Sequence, residues 1–360
     1  MSKKIYFHVG PPKTGTSAIQ KWLLENSNFL RKNLIYYPDH GIDDNGVSSG
    51  NVLSIYDIDE SKQLTLSKPK LNSVIEEFEK SECNTLLLSS EFFFRKMSEL
   101  KSHVPQACFI AYVRNPLEIK ESSYNQSVKR HFQTEVINPK LAKKLPYMSC
   151  LTEFAKNFGT DSLNIRLYGN KYFIKRNIVS DLLSVLGIDV EAKLPIVNSS
   201  YQFEALEFKR WINQFELREF QVVIDRSLQA FSSGRKDYSL IPTDIHAKSS
   251  KQFAELLEEH AKQLESPQLV TLANDIKKTK PKHHIDQKLN GQQFLKVSNF
   301  LQERLGYEYY CLVQRISEIK VDQKDEFYEM FVNSLKARFR YFSLYYMFKQ
   351  KLKKFSLRLK

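Results

Sequence analysis

The sequence predicts an α/β fold: a central parallel sheet with helices on both faces, followed by a helical C-terminal extension. Three observations predict it. Apolar runs at residues 4–10 (KIYFHVG), 85–91 (TLLLSSE), 107–113 (ACFIAYV) and 163–169 (LNIRLYG) read as buried strands. Segments of helical periodicity alternate with them, which is the pattern of parallel strands joined by helical crossovers. Strand ends at HVGPPKTGTS, SSE and RNP carry polar residues, and ligands in open parallel sheets bind beyond the carboxyl ends of the strands. These three ends are therefore expected to converge on one crevice.

The elements follow in order. The run 4–10 stops at Gly10, and from Thr16 onward Ala18, Ile19, Trp22, Leu23, Phe29 and Leu30 recur at helical spacing. Residues 41–51 (GIDDNGVSSGN) are turn formers and are expected to form a surface loop. Residues 71–82 read as a helix before the strand at 85–91. Residues 92–100 read as a helix after it. The strand at 107–113 runs into a helix over 114–131, with Pro116 suited to its first turn. The strand at 163–169 precedes a helix over 176–187 that ends at Gly187. Beyond about residue 200 the strand signal fades. Helical patterns occupy 203–231, 245–265, 291–304 and 324–358, with 232–244 and 266–284 between them.

Composition narrows the class. Hydrophobic residues make up 42% and aromatic residues 12% of 360 positions, enough for a well-packed core. No run approaches 18 apolar residues, and the N-terminus enters a strand at once. A spanning helix and a secretory leader are not expected, and a cytoplasmic location is. Cys83, Cys108, Cys150 and Cys311 are far apart, which argues against a zinc site or a disulfide framework. The net charge is +13, but nine Lys or Arg and no acid follow Glu329. The other 329 residues hold about +4, so nucleic acid is not an expected partner.

The loop at residues 8–23 (HVGPPKTGTSAIQKWL) is close to a nucleotide-binding loop but lacks its lysine. Gly10 and Gly15 have Walker spacing, yet Thr16 stands where G-K-[ST] needs lysine, and Lys13 comes three positions early. A strand-to-helix loop offers backbone N–H groups and the positive end of a helix dipole to an anion. Glycines permit close approach, Pro11 and Pro12 stiffen it, Thr14, Thr16 and Ser17 add hydroxyls, and Lys13 adds a mobile cation. The placements that hold magnesium and the terminal phosphates are missing, as is an acid after an apolar strand. The loop suits a single phosphate with an attached group, and no metal is expected.

Two motifs resemble those of the sulfotransferases that use 3′-phosphoadenosine 5′-phosphosulfate (PAPS). Pro12, Lys13, Thr14, Gly15, Thr16 and Ser17 match the family's P-K-T/S-G-T-T/S donor loop. Arg114, Pro116 and Ser122, within RNPLEIKESSYNQS, match its second signature of a strand-end arginine, a proline and a serine eight residues on. The likeness is nearest to bacterial carbohydrate sulfotransferase-like proteins and covers roughly residues 4–200. It implies a P-loop NTPase-like sulfotransferase domain over 1–265, with 266–360 as a basic helical extension. It also implies PAPS as donor, with the loop on the 5′ phosphosulfate and Arg114 and Ser122 on the 3′ phosphate. Arg235 and Lys236, in SSGRKDY, are weaker candidates for closing over that phosphate; a plain surface loop is favoured there.

Transfer to an alcohol needs a base, an in-line geometry and a donor to the bridging oxygen. Lys13 is the candidate donor. Glu91, ending a strand in an expected partly desolvated crevice, is the candidate base, with first-turn dipole stabilisation as its plainer role. His8 is the rival base, although strand alternation favours a buried core histidine. His40, in the turn PDHG, reads as exposed. Tyr168 either approaches the adenine or packs, and packing is favoured. The acceptor expected is a carbohydrate or glycolipid hydroxyl. Residues 335–360 place Leu335, Phe339, Phe342 and Tyr346 at helical spacing among basic residues. They suit an anionic membrane surface or packing on the body equally well. Two other readings stay open: a nucleotide kinase with a degenerate loop, and a non-catalytic adenosine-phosphate-binding module.

Overall fold

The computed structural model describes residues 3–41, 48–61, 63–140, 144–193, 200–319 and 325–335. The chain packs as two compact units. The first comprises the described residues of Met1–Ser122, Lys140–Val197 and Asp244–Lys280, and the second those of Ser123–Pro139, Asn198–Thr243 and Pro281–Lys360. The first unit thus continues through residue 265, where the sequence suggested a division.

The strands are β1 (Lys4–His8), β2 (Ile35–Tyr36), β3 (Tyr56–Ile58), β4 (Leu64–Leu66), β5 (Thr85–Ser89), β6 (Cys108–Val113) and β7 (Leu163–Leu167). Five of them form one parallel sheet in the order β2-β5-β1-β6-β7, while β3 and β4 make a separate antiparallel hairpin. The helices of the first unit are α1 (Thr16–Glu25), α2 (Ser27–Lys32), α3 (Val52–Ile55), α4 (Lys68–Lys80), α5 (Met97–His103), α6 (Pro116–Arg130, shared with the second unit), α7 (Pro146–Phe158) and α8 (Ile178–Val185).

Strand alternation explains why both faces of the sheet are covered. Phe7 of β1 stacks on Phe109 of β6 with centroids 5.3 Å apart. Phe93 meets Phe7 edge-on at 5.5 Å, and Phe154 of α7 meets Phe109 at 4.9 Å, closing that face. The opposite face carries Leu87, Ile110 and Tyr112, buried with Ile19, Trp22 and Leu23 of α1 and Val179, Leu182 and Leu183 of α8. Each such side chain stabilises the fold by about 1.5–3 kcal/mol relative to exposure.

The second unit is helical. It contains α9 (Phe203–Ile212) and α10 (Gln221–Gln229). After α11 (Thr243–Gln263) and α12 (Pro267–Lys278), which belong mainly to the first unit, it resumes with α13 (Gly291–Leu305), α14 (Tyr307–Glu318) and α15 (Glu326–Val332). Its core gathers Phe203, Phe208, Phe294, Leu301, Tyr309 and Phe331, with Trp211 against Phe294 at 4.8 Å.

Several boundaries differ from the sequence reading. The pattern over 203–231 is two helices, because Glu216 takes a left-handed φ of 47° between them. Residues 266–284 hold α12, started by Ser266 capping Leu269 N, where no helix was assigned. Helices α7 and α14 were also unassigned; α14 follows α13 across Gly306 alone, a link that periodicity does not punctuate. Of the helix expected over 324–358, α15 covers only Glu326–Val332 and residues 333–335 leave the helix; the basic amphipathic stretch beyond Leu335 lies outside the described residues. Among the described residues no helix is long and apolar enough to cross a membrane.

Candidate functional site

The carboxyl ends of β5, β1 and β6 stand side by side, because those strands are neighbours and parallel. Backbone pairing continues past the strands. Ser90 N donates to His8 O at 3.1 Å, Val9 N to Ile110 O at 3.0 Å, and Tyr168 N to Val113 O at 2.8 Å. The convergence expected of HVGPPKTGTS, SSE and RNP is therefore present, with the end of β7 beside them.

The loop from Gly10 to Gly15 joins β1 to α1. Gly15 takes φ 80°, and α1 starts there with no side-chain cap; of its first-turn amides, Ala18 N is taken by Gly15 O at 3.0 Å. A side chain here would also be crowded. A Cβ on Gly15 would lie 2.6 Å from Ile178 Cδ1 and 3.0 Å from Tyr168 Cε2. A Cβ on Gly10 would lie 2.6 Å from Thr16 Oγ1 and 2.9 Å from Thr14 Oγ1. The two threonines are buried; Thr14 Oγ1 donates to Pro11 O at 2.6 Å, and Thr16 Oγ1 has no partner among the described residues. Pro12 is exposed, whereas Lys13 and Ser17 are half-buried. Lys13 itself adopts φ 70°, a left-handed conformation uncommon for a residue with a side chain.

Arg114 meets this loop. Its Nη1 donates to the Lys13 carbonyl at 3.0 Å, and its Nε donates to Glu118 Oε2 at 2.9 Å. Its guanidinium lies over the Tyr168 ring, 4.7 Å from the centroid. Ser122 is half-buried on α6, one turn beyond Glu118 and so on the same helical face. The two sequence motifs, 101 residues apart, thus share one place.

His8 lies wholly inside the sheet. Its Nδ1 is 2.8 Å from Ser89 Oγ, its Nε2 has no partner among the described residues, and its ring meets Tyr112 edge-on at 5.8 Å. Burial pushes its pKa down to about 3, so the ring is neutral at physiological pH. Tyr112 in turn donates to Asp181 Oδ2 at 2.8 Å, a buried carboxylate that also receives Arg166 Nε at 3.0 Å and Ile174 N at 3.1 Å. This anchors α8, whose Ile178 packs on Gly15, to the sheet.

Glu91 begins a 3-10 helix over Glu91–Lys96, where Ser90 Oγ accepts from Phe92 N. It is exposed, so the partly desolvated crevice expected around it is absent. The short helix turns the side chain outward because Phe93 and Phe94 claim the buried side. His40 departs from expectation too. It is half-buried, with Nε2 2.7 Å from Tyr37 Oη and Nδ1 2.7 Å from Ser48 Oγ, and burial lowers its pKa.

The described end of the expected surface loop, Ser48–Asn51, instead packs against the end of β5, with Ser48, Gly50 and Asn51 buried. Asn51 is fully buried; its N–H donates to Ser89 O at 3.0 Å and its Oδ1 accepts from Ser89 N at 2.9 Å. Gly50, at φ 69°, approaches Ser89 so closely that a Cβ would sit 1.7 Å from Ser89 O. Gln20 of α1 also donates to Ser89 O at 3.2 Å. The Gly-Asn pair was read as turn composition; its other use, close backbone approach, leaves the same signal. Arg235 and Lys236 are exposed in the second unit. The loop is held to the start of α9 through its backbone, Arg235 N donating to Glu204 Oε2 at 2.7 Å and Arg235 O accepting from Phe203 N at 3.0 Å.

No protein-family model matches the chain, and no curated protein matches it significantly. Among solved structures it is similar to a crystal structure described as a sulfotransferase from Alicyclobacillus acidocaldarius. The identity is 14% and the TM-score 0.43, over 76% of this chain and 100% of that one.

Proposed function

We propose that the chain is a sulfotransferase that takes a sulfuryl group from PAPS and passes it to a hydroxyl of a carbohydrate or glycolipid. The observation that carries this reading is the contact of Arg114 with the Lys13 carbonyl at 3.0 Å. A doubly phosphorylated adenosine needs two anion sites at a fixed separation. Here an uncapped helix start and a half-buried guanidinium, on adjacent strand ends, would supply them.

The residues fit such a donor. Gly10 leaves the space that a Cβ would fill beside two threonine hydroxyls, one of them a buried oxygen without a partner among the described residues. Thr14, Gly15, Thr16 and Ser17 would hold the 5′ end, and Arg114 and Ser122 the 3′ phosphate. Lys13 would meet charge developing on the bridging oxygen. We assign the acceptor's proton to Glu91, exposed just beyond the end of β5. His8, neutral and enclosed, would support the loop from beneath. Arg235 and Lys236 remain candidates for the 3′ phosphate on sequence grounds, and residues 335–360 for contact with an anionic membrane at its inner face.

Calorimetry with 3′-phosphoadenosine 5′-phosphate against ATP plus magnesium tests the reading. The expected result is binding of the first and a marked preference over the second. Preference for magnesium–ATP would transfer the reading to a kinase. Binding of PAPS without turnover, together with an indifferent Glu91→Ala, would leave a binding module.

A further inference from the structure

We propose that Arg114 and Tyr168 act together as a brace on the loop, holding Lys13 in its left-handed conformation, so that they strengthen binding of an anion at the loop without touching it. This rests on the sulfonate-donor reading and adds to it a positioning role for both residues.

Lys13 has φ 70°, and no glycine stands there to make that conformation easy. Something must hold it. The Lys13–Thr14 peptide is trans, so its carbonyl and the Thr14 N–H point in opposite directions within one plane. Arg114 Nη1 grips the carbonyl at 3.0 Å. Fixing that oxygen turns the Thr14 amide away from the guanidinium and fixes its aim. The guanidinium is itself fixed on two further sides. Glu118 takes its Nε at 2.9 Å, and the Tyr168 ring lies 4.7 Å from its central carbon.

Tyr168 is well placed to serve as the anchor. Its backbone N–H continues the sheet by donating to Val113 O at 2.8 Å, and Phe173 abuts its ring at 5.4 Å. The same ring lies against Gly15, where an added Cβ would come within 3.0 Å of Cε2. One aromatic side chain thus touches the loop at Gly15 and supports the arginine that grips it at Lys13. Its hydroxyl is not used in either contact, so the ring alone carries the role.

The consequence is separable from recognition of a 3′ phosphate. Losing the brace should weaken a ligand that has nothing to offer Arg114. The parent protein, R114A, Y168L and Y168F are titrated by calorimetry with adenosine 5′-phosphate and with 3′-phosphoadenosine 5′-phosphate. R114A and Y168L are expected to bind adenosine 5′-phosphate roughly tenfold more weakly than the parent, as when one charged hydrogen bond is lost. Y168F is expected to stay within about twofold, because it keeps the stacking ring. Thermal melting of each variant checks that it is folded, and R114A carries the test alone if Y168L is not. Unchanged binding of adenosine 5′-phosphate by R114A would overturn the brace, while a simultaneous loss for the 3′-phosphorylated ligand would leave the donor reading standing. A parent that binds neither nucleotide would sink the donor reading and the brace with it.

Discussion

Acidification should destabilise this protein through His8 before its carboxylates begin to titrate. The imidazole has an ordinary pKa of 6.5 in the unfolded chain and about 3 in the folded one, because burial disfavours its charged form. Between those values the unfolded chain binds a proton that the folded chain refuses. Stability therefore falls as pH falls through 6.5, by about 1.4 kcal/mol for each pH unit. From pH 6.5 down to about 5 the loss from this one group is about 2 kcal/mol, a large fraction of a typical domain's 5–15 kcal/mol. Over the whole interval of three and a half units it approaches about 5 kcal/mol. Urea unfolding at half-unit steps of pH, for the parent and for His8→Asn, measures it. Asparagine keeps an amide where Nδ1 meets Ser89 Oγ and removes the titration. The variant's curve should be flatter than the parent's over that window. Parallel curves would mean that His8 is protonated in the fold, or that another group is responsible.

Other perturbations follow from the same geometry. Gly50→Ala should cost about 3–5 kcal/mol, since a Cβ 1.7 Å from Ser89 O forces apart the two hydrogen bonds between Asn51 and Ser89, next to an already left-handed residue; chemical denaturation reads it directly. Asp181→Ala should cost about 3 kcal/mol by leaving Tyr112 and Arg166 without their shared carboxylate, and a lowered melting temperature is the sign. Lys13→Ala should chiefly slow turnover, and steady-state kinetics with PAPS should show it in kcat. Arg114→Ala should lose ~1.5–3 kcal/mol of donor binding; an unchanged preference between 3′-phosphorylated and unphosphorylated donors would remove Arg114 from its assigned role.

Four of the sheet's five strands were legible in the sequence as apolar runs, while β2, only two residues long, was not. All five residues of β5 are enclosed, and such runs stand out without any need for register. The loop was legible because its residues are unusual: Gly15 takes a left-handed φ, and a Cβ at Gly10 would crowd two threonine hydroxyls. Arg114 was found through resemblance to a family signature, and its contact with Lys13 could not be, since a hydrogen bond across 101 residues leaves no local trace. Glu91 was placed at the right strand end, but its exposure depends on how Phe93 and Phe94 rotate the turn that follows. Ser48–Asn51 went unread for a different reason. Small polar residues that line a surface turn and those that let two backbones touch have the same composition. The left-handed break at Glu216 is likewise invisible, as nothing in that residue's chemistry asks for it.

The way the two units share the chain bears on how the protein is made. Helix α6 passes from one to the other at Ser122 and Ser123, and the first unit needs residues as late as Lys280. During synthesis neither unit has all its parts until most of the polypeptide has left the ribosome. The apolar strands that emerge early, β1, β5 and β6, must wait for α11 and α12 before their unit is complete. Nascent chains of this protein should therefore depend on chaperone protection for longer than chains whose domains are finished one after another.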